Sequence, residues 1–176
     1  MNSYNIALYP GDGIGIDVVV EAVKVMAAVE ARYDLQLNRT EFTWGHRYWQ
    51  ETGKVVPDDF LHTLQNFDAI FLGAVGDPKH LPDHITLVPL IKIRQSFDQY
   101  VCLRPAQLLP GVTTPLANKQ PADIDILVVR ENSEGEYVDA GGFFKVDQDD
   151  EVSLQTAVYT RKGVERILRY AGPLAH

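Results

Sequence analysis

The chain holds a single cysteine, Cys102, in 176 residues, so no internal disulfide can form. An unpaired thiol fits a reducing compartment, and a cytoplasmic location is the expectation. Basic residues are also scarce: 16 Lys and Arg stand against 24 Asp and Glu, a net charge of −8. Phosphate backbones require the opposite balance, so nucleic acid is not an expected partner. No apolar run approaches the length that crosses a bilayer. Met1 to Leu8 has neither a basic start nor a long apolar stretch, so neither a signal peptide nor a membrane partner is expected. Repeats and low-complexity blocks are missing too. What remains is an ordinary globular composition, 45% hydrophobic and 23% charged, with length for one domain or one and a part.

Strand and helix signals alternate. Tyr4 to Tyr9 reads as a buried strand that runs into the turn Pro10 to Gly15. Ile16 to Ala31 reads as a helix with Asp17, Glu21 and Lys24 on one face and Val18, Ala22, Val25, Met26 and Val29 on the rest. A strand over Leu35 to Phe42 follows, then a short helix His46 to Thr52 stopped at Gly53. Pro57 opens another helix with Phe60, Leu61 and Leu64 inward, and Phe67 to Leu72 is a strand ending in the loop Gly73 to Pro78. This alternation predicts a layered α/β sheet. Further on, Leu87 to Phe97 reads as a helix capped by Thr86, and Val101 to Arg104 as a strand closed by Pro105. Ile124 to Arg130 reads as a buried strand, Val138 to Glu151 as a hairpin or arm, and Val152 to Tyr159 as a strand. Thr160 caps a last helix, Arg161 to Ala171.

Three arginines, Arg94, Arg104 and Arg130, each follow an apolar segment, and Tyr137 sits in the loop after the last of them. A guanidinium grips a carboxylate with a rigid two-pronged fork, so converging forks suit a small dicarboxylic acid, and a phenol can hand over a proton. Arg94 on an otherwise apolar helix face either reaches to the surface or meets an anion in a cleft. Gly11, Gly13 and Gly15 give G-x-G-x-G, which is not the dinucleotide fingerprint. Each glycine loop is either a tight turn or a place where a ligand approaches bare backbone. Metal signals are weak. Asp147, Asp149 and Asp150 form a solvated charge run, and Pro82 breaks any helical spacing between His80 and His84, so no metal ligand is assigned. His46, His62 and His176 read as isolated.

Together these pieces resemble the β-decarboxylating dehydrogenases, the isocitrate and isopropylmalate dehydrogenase-like family. The carriers are Pro10 to Gly15, Gly73 to Pro78, Arg94, Leu103-Arg104-Pro105, Val129-Arg130-Glu131-Asn132, Glu134-Gly135-Glu136-Tyr137, and Tyr159-Thr160-Arg161 with Glu165-Arg166-Ile167, all in collinear order. Asp83 to Leu87 and Phe97 to Tyr100 look most like the tartrate/D-malate branch. The resemblance implies an isopropylmalate dehydrogenase-like α/β fold, truncated, with an extended β-arm over 138–159. Residues 1–99 would be part of a large α/β domain and 100–176 the start of a small dimerisation domain.

It also implies an activity: NAD- and Mg- or Mn-dependent oxidation and β-decarboxylation of tartrate or D-malate. Arg94, Arg104 and Arg130 would clamp the carboxylates, and Tyr137 would transfer a proton to the enolate left by loss of carbon dioxide. Thr86 and Leu87 would face the substituent on the third carbon. Gly13, Ile14, Gly73, Ala74, Val75 and Gly76 would border the nicotinamide end of NAD. Partners would be the small dicarboxylic acid and a second copy or complementing chain. The family's base lysine, metal-binding aspartates and adenine-binding segment are expected beyond His176, which makes activity incomplete in these residues alone. The alternatives are a non-catalytic remnant acting in dimerisation, or an isopropylmalate-type enzyme. Two positions depart from the branch: Cys102 replaces asparagine, and Val88 replaces tryptophan.

Overall fold

Ile6-Ala7-Leu8-Tyr9 is apolar enough to be buried on both faces, and it forms the middle of the sheet. In the computed structural model, which describes residues 2–175, β1 (Asn2–Gly11) lies between β2 (Leu35–Glu41) and β3 (Ala69–Ala74), parallel to both. Parallel neighbours need crossovers. The first is α1 (Ile14–Arg32), and α2 (His46–Thr52) and α3 (Phe60–Leu64) lie between β2 and β3. Gly53 stops α2 in the left-handed conformation at φ 74°, as its position predicts.

The core is Ile6, Leu8 and Val19, with Val23, Met26, Leu37 and Phe71 against it. The inward face of α1 therefore passes through Gly15, Val19, Val23 and Met26, while Val18 and Val25 are exposed. Nearly every position of this helix is apolar or small, so the periodicity that fixes a face is blurred. A second cluster is aromatic: Trp44 stacks on Phe42 at 4.3 Å and meets Tyr9 edge-on at 5.5 Å. Burial, with the nearby Asp12 charge, pushes the Tyr9 phenol far above its ordinary range, so it stays neutral.

The chain divides into two compact units, one ending at Ile93 and the other beginning at Arg94. The predicted helix over Leu87 to Phe97 is α5 (Val88–Ser96), and a short helix that was not predicted, α4 (Asp83–Thr86), precedes it. Thr86 is not a cap: it ends α4, and its hydroxyl turns back to the Asp83 carbonyl at 3.4 Å. Leu87 sits between the helices, and its carbonyl accepts the Ile91 N–H.

In the second unit β4 (Val101–Gln107) pairs antiparallel with β5 (Asp125–Glu131). Pro105 does not close β4; it lies within the strand opposite Leu127. The sheet has two strands, so each has an open edge, and an edge position tolerates a residue without an N–H. β5 is not buried either. Ile126, Leu127 and Val128 are 55%, 46% and 46% exposed. An apolar run reads the same whether or not another layer covers it. β6 (Gly141–Phe144) and β7 (Val152–Gln155) form an antiparallel hairpin inside the expected arm. β7 ends well before Tyr159, and Val158 makes an isolated bridge to Gly135. α6 (Arg161–Leu174) starts as predicted, with the Thr160 hydroxyl accepting the Gly163 N–H at 3.0 Å.

Candidate active site

The first unit brings its two glycine loops together around a residue the sequence reading left unassigned. Asp12 is buried, 5% exposed. Its Oδ1 accepts the His46 N–H at 2.6 Å and its Oδ2 the Gly76 N–H at 2.9 Å. Its own N–H donates to the Ala74 carbonyl at 2.7 Å. The turn and the loop Gly73 to Pro78 thus share one carboxylate. Close approach explains most of the glycines: a Cβ on Gly15 or Gly73 would strike the Pro10 carbonyl, and one on Gly11 the Ala74 carbonyl. Gly13 differs, since at φ 51° its missing Cβ faces open space, and Ile14 beside it is 68% exposed. The buried carboxylate occupies amide donors that an incoming phosphate would require. Thr86 is buried and faces the Cα of Gly76, whereas Leu87 is exposed.

The second unit gathers Arg94, Arg104, Arg130 and Tyr137. The Arg94 and Arg130 guanidinium carbons lie 5.7 and 5.5 Å from the centre of the Tyr137 ring. Arg104 Nε donates to Cys102 Sγ at 3.4 Å, and this bond, with a smaller contribution from nearby Tyr137, raises the Arg104 guanidinium further above its ordinary value. Burial alone would raise the Cys102 thiol, but the hydrogen bond from Arg104 and the charges of Arg130, Arg104 and Arg94 outweigh it and hold the thiol below its ordinary range. One sulfur and one phenol therefore sit among three cations.

None of these three arginines forms an ion pair with a carboxylate among the described residues. Arg130 Nη2 donates to the neutral amide oxygen of Asn132 at 2.8 Å, and its buried Nε has no partner. Arg166, in the same unit, shows what a structural arginine looks like. It pairs with Asp98 at 2.6 Å and Glu131 at 3.2 Å and lies over the Tyr100 ring at 4.4 Å. Three like charges held together without counter-charge are a binding surface for an anion.

The sequence reading missed the residues that hold this cluster. Asn132, 6% exposed, is fixed through its N–H to the Tyr100 carbonyl and its side-chain amide to the Gln99 carbonyl, and from there it orients Arg130. Glu131 accepts the Ser133 hydroxyl and the N–H groups of Ser133 and Glu134. Burial raises Glu131, but these bonds and Arg166 prevail and keep it ionised below the usual glutamate range. Glu134 holds the start of α6 through the Thr160 N–H and hydroxyl. Both loop carboxylates are committed, and among the described residues of this unit no three potential ligand groups converge. The contiguous Arg130-Glu131-Asn132 was the available signal for Asn132.

His46, read as isolated, is not: its ring stacks on that of His80 at 4.7 Å and its Nδ1 lies 3.3 Å from the Asp77 carboxylate. His176 falls outside the described residues.

Residues 5–176 match the isocitrate/isopropylmalate dehydrogenase family. The chain is 50% identical to D-malate dehydrogenase [decarboxylating] of Escherichia coli over 177 aligned residues, covering 99% of this chain and 49% of that protein. It is 46% identical to tartrate dehydrogenase/decarboxylase of Pseudomonas putida, covering 99% and 48%. Among solved structures, isocitrate dehydrogenase from Methylococcus capsulatus superposes with a TM-score of 0.76 at 32% identity, over 98% of this chain and 47% of that one. A β-decarboxylating dehydrogenase from Thermococcus kodakarensis gives 0.60 at 32%, over 96% and 44%. The chain spans about half the length of the curated relatives it matches. With the α/β fold and the matched residues in agreement, the chain belongs to the isocitrate/isopropylmalate dehydrogenase family.

Proposed function

We propose that this chain supplies the substrate-gripping portion of an NAD- and divalent-metal-dependent dehydrogenase that oxidises and β-decarboxylates D-malate or tartrate. One observation carries the reading: Arg94, Arg104 and Arg130 stand together around Tyr137 and Cys102 without a carboxylate partner. A 2-hydroxy dicarboxylic acid brings the missing negative charge, and its two carboxylates can engage separate forks. NAD would supply the acceptor for the hydride of the hydroxyl-bearing carbon. The contribution of Gly13, Ile14 and Gly73 to Gly76 is to border its nicotinamide end. Binding by the arginines fixes the substrate's orientation and keeps the departing carboxylate apart from the one that stays. Tyr137 gives a proton to the carbon that loses carbon dioxide. Thr86 and Leu87 face the third-carbon substituent and set which acid is preferred. Relatives named for D-malate and tartrate favour those two acids over isopropylmalate.

Cys102 offers a direct test. Alkylation by iodoacetamide proceeds through the thiolate. Since the folded-state pKa is lowered, the rate is expected to rise at a lower pH than in the denatured chain. D-malate should slow the reaction, whereas a monocarboxylate at equal concentration should not. A rate insensitive to saturating D-malate and tartrate would remove the support for this reading.

The partner of this reading is a second copy of the chain. Phe143, Phe144 and Leu154 of the hairpin are 69%, 64% and 63% exposed, and the strand edges are open. Apolar strands of this kind pair between chains. Light scattering at micromolar concentration is expected to give the mass of a dimer and to fall toward the monomer when Phe143 and Phe144 are both replaced by aspartate. A monomer in the unsubstituted chain would defeat the assignment.

A further inference from the structure

Outside the arginine cluster, one group of side chains in the first unit has the chemistry of a metal site, and nothing in the proposed reaction uses it. His46 opens α2, Asp77 lies in the second glycine loop and His80 in the turn that follows it. Asp77 Oδ2 lies 3.3 Å from His46 Nδ1 and 2.8 Å from His80 Nδ1. The three ligand atoms all lie within 4.8 Å of one another, and the imidazole rings stack at 4.7 Å with 12° between their planes.

We propose that His46, Asp77 and His80 bind a borderline transition-metal dication, with zinc as the probe. Ligand bonds of about 2.0–2.2 Å around a tetrahedral ion place donor atoms roughly 3.3–3.6 Å apart. The His46–Asp77 separation of 3.3 Å already lies in that range, and the His80–Asp77 separation must open from 2.8 Å. Two neutral imidazoles and one carboxylate select zinc, nickel or copper, since magnesium takes oxygen ligands and keeps its water. This chemistry differs from that of the Mg or Mn that the family resemblance implies.

Two features make the trio a preformed site. Asp12, buried between them, fixes the backbone at His46 and at Gly76, which adjoins Asp77. The turn is closed by the His80 and Leu81 N–H groups donating to the Asp77 carbonyl at 2.9 and 2.7 Å, and Leu81 is 1% exposed and anchors it. Little ordering entropy is then lost on binding. The His80 side chain is 54% exposed while those of His46 and Asp77 are 19% and 24%, so an ion enters from the His80 side and keeps a position open for water. The net charge of −8 favours cation capture over anion capture.

The test is calorimetric titration of the chelator-stripped full chain with zinc chloride, with thermal denaturation in parallel. One zinc per chain is expected, together with a rise in melting temperature. A second-layer partner alone is worth about tenfold in metal affinity, so His80→Ala and Asp77→Asn should each weaken binding by roughly that or more. His84→Ala, at a nearby histidine outside the trio, should leave it unchanged. Magnesium chloride in excess should not displace the zinc. His80→Ala replaces a solvent-facing ring, so its fold is preserved, and its melting temperature without zinc checks this. Absent or non-saturating zinc binding, binding unaffected by His80→Ala, or equal losses in His80→Ala and His84→Ala would overturn the proposal.

Discussion

Replacing Arg130 with alanine is expected to weaken D-malate binding by about 2–4 kcal/mol, a factor of roughly 30 to 1,000, while leaving the free chain about as stable as before. The two halves of that expectation come from one arrangement. Arg130 has no carboxylate partner among the described residues, only the Asn132 amide. Its removal costs one neutral-acceptor hydrogen bond and the contact with the Tyr137 ring, and it relieves repulsion with Arg94 and Arg104, so the terms nearly cancel without ligand. With ligand present, a desolvated charge pair is lost. Arg130→Lys should recover only part of the affinity, because an ammonium lacks the planar fork. Titration calorimetry with the two variants, beside denaturant melts, measures both quantities. A large loss of stability with unchanged binding would make Arg130 a structural residue like Arg166.

Replacing Asp12 with alanine is expected to destabilise the first unit by about 3 kcal/mol or more. Two part-buried backbone donors, the N–H groups of His46 and Gly76, lose their acceptors. Each unsatisfied group costs about 1–3 kcal/mol. Asp12→Asn should not rescue the fold. Both carboxylate oxygens accept N–H groups, so an amide would turn its NH2 toward one donor and accept from the other alone. Urea denaturation separates the outcomes: comparable losses for both variants support the bridging role, while near-native stability of Asp12→Asn contradicts it. The neighbouring glycines predict the same local sensitivity, because a Cβ on Gly73 would meet the carbonyls of Pro10 and Gly15.

Much of the fold was legible in the residues. The strand at Ile6 to Tyr9, the stop at Gly53 and the Thr160 cap follow from local chemistry, since the atoms that decide them lie within a few positions of one another. The readings that failed depended on partners far along the chain. Val18 and Val25 look as apolar as Val19 and Val23, and only the packing against β1 selects which pair is inside. Ile126 to Val128 looked buried because apolar character was visible and the absence of a cover was not. Pro105 looked like a terminator because an edge position cannot be recognised before the sheet is built.

The sites divide in the same way. Residue type and order alone determined the class of chemistry: three arginines and a tyrosine in collinear motifs, an acidic chain, and one thiol. Tertiary structure decided which charges are answered. It gave Arg166 two carboxylates and Arg130 none, placed Cys102 beside the arginines, and set Asp12 between two loops. It also stacked His46 on His80, a pairing no spacing rule reveals. The reason is physical: identity fixes what a side chain can donate, accept or ionise, whereas a compensating charge or a shared ligand is a relation in space, and only the folded chain creates it.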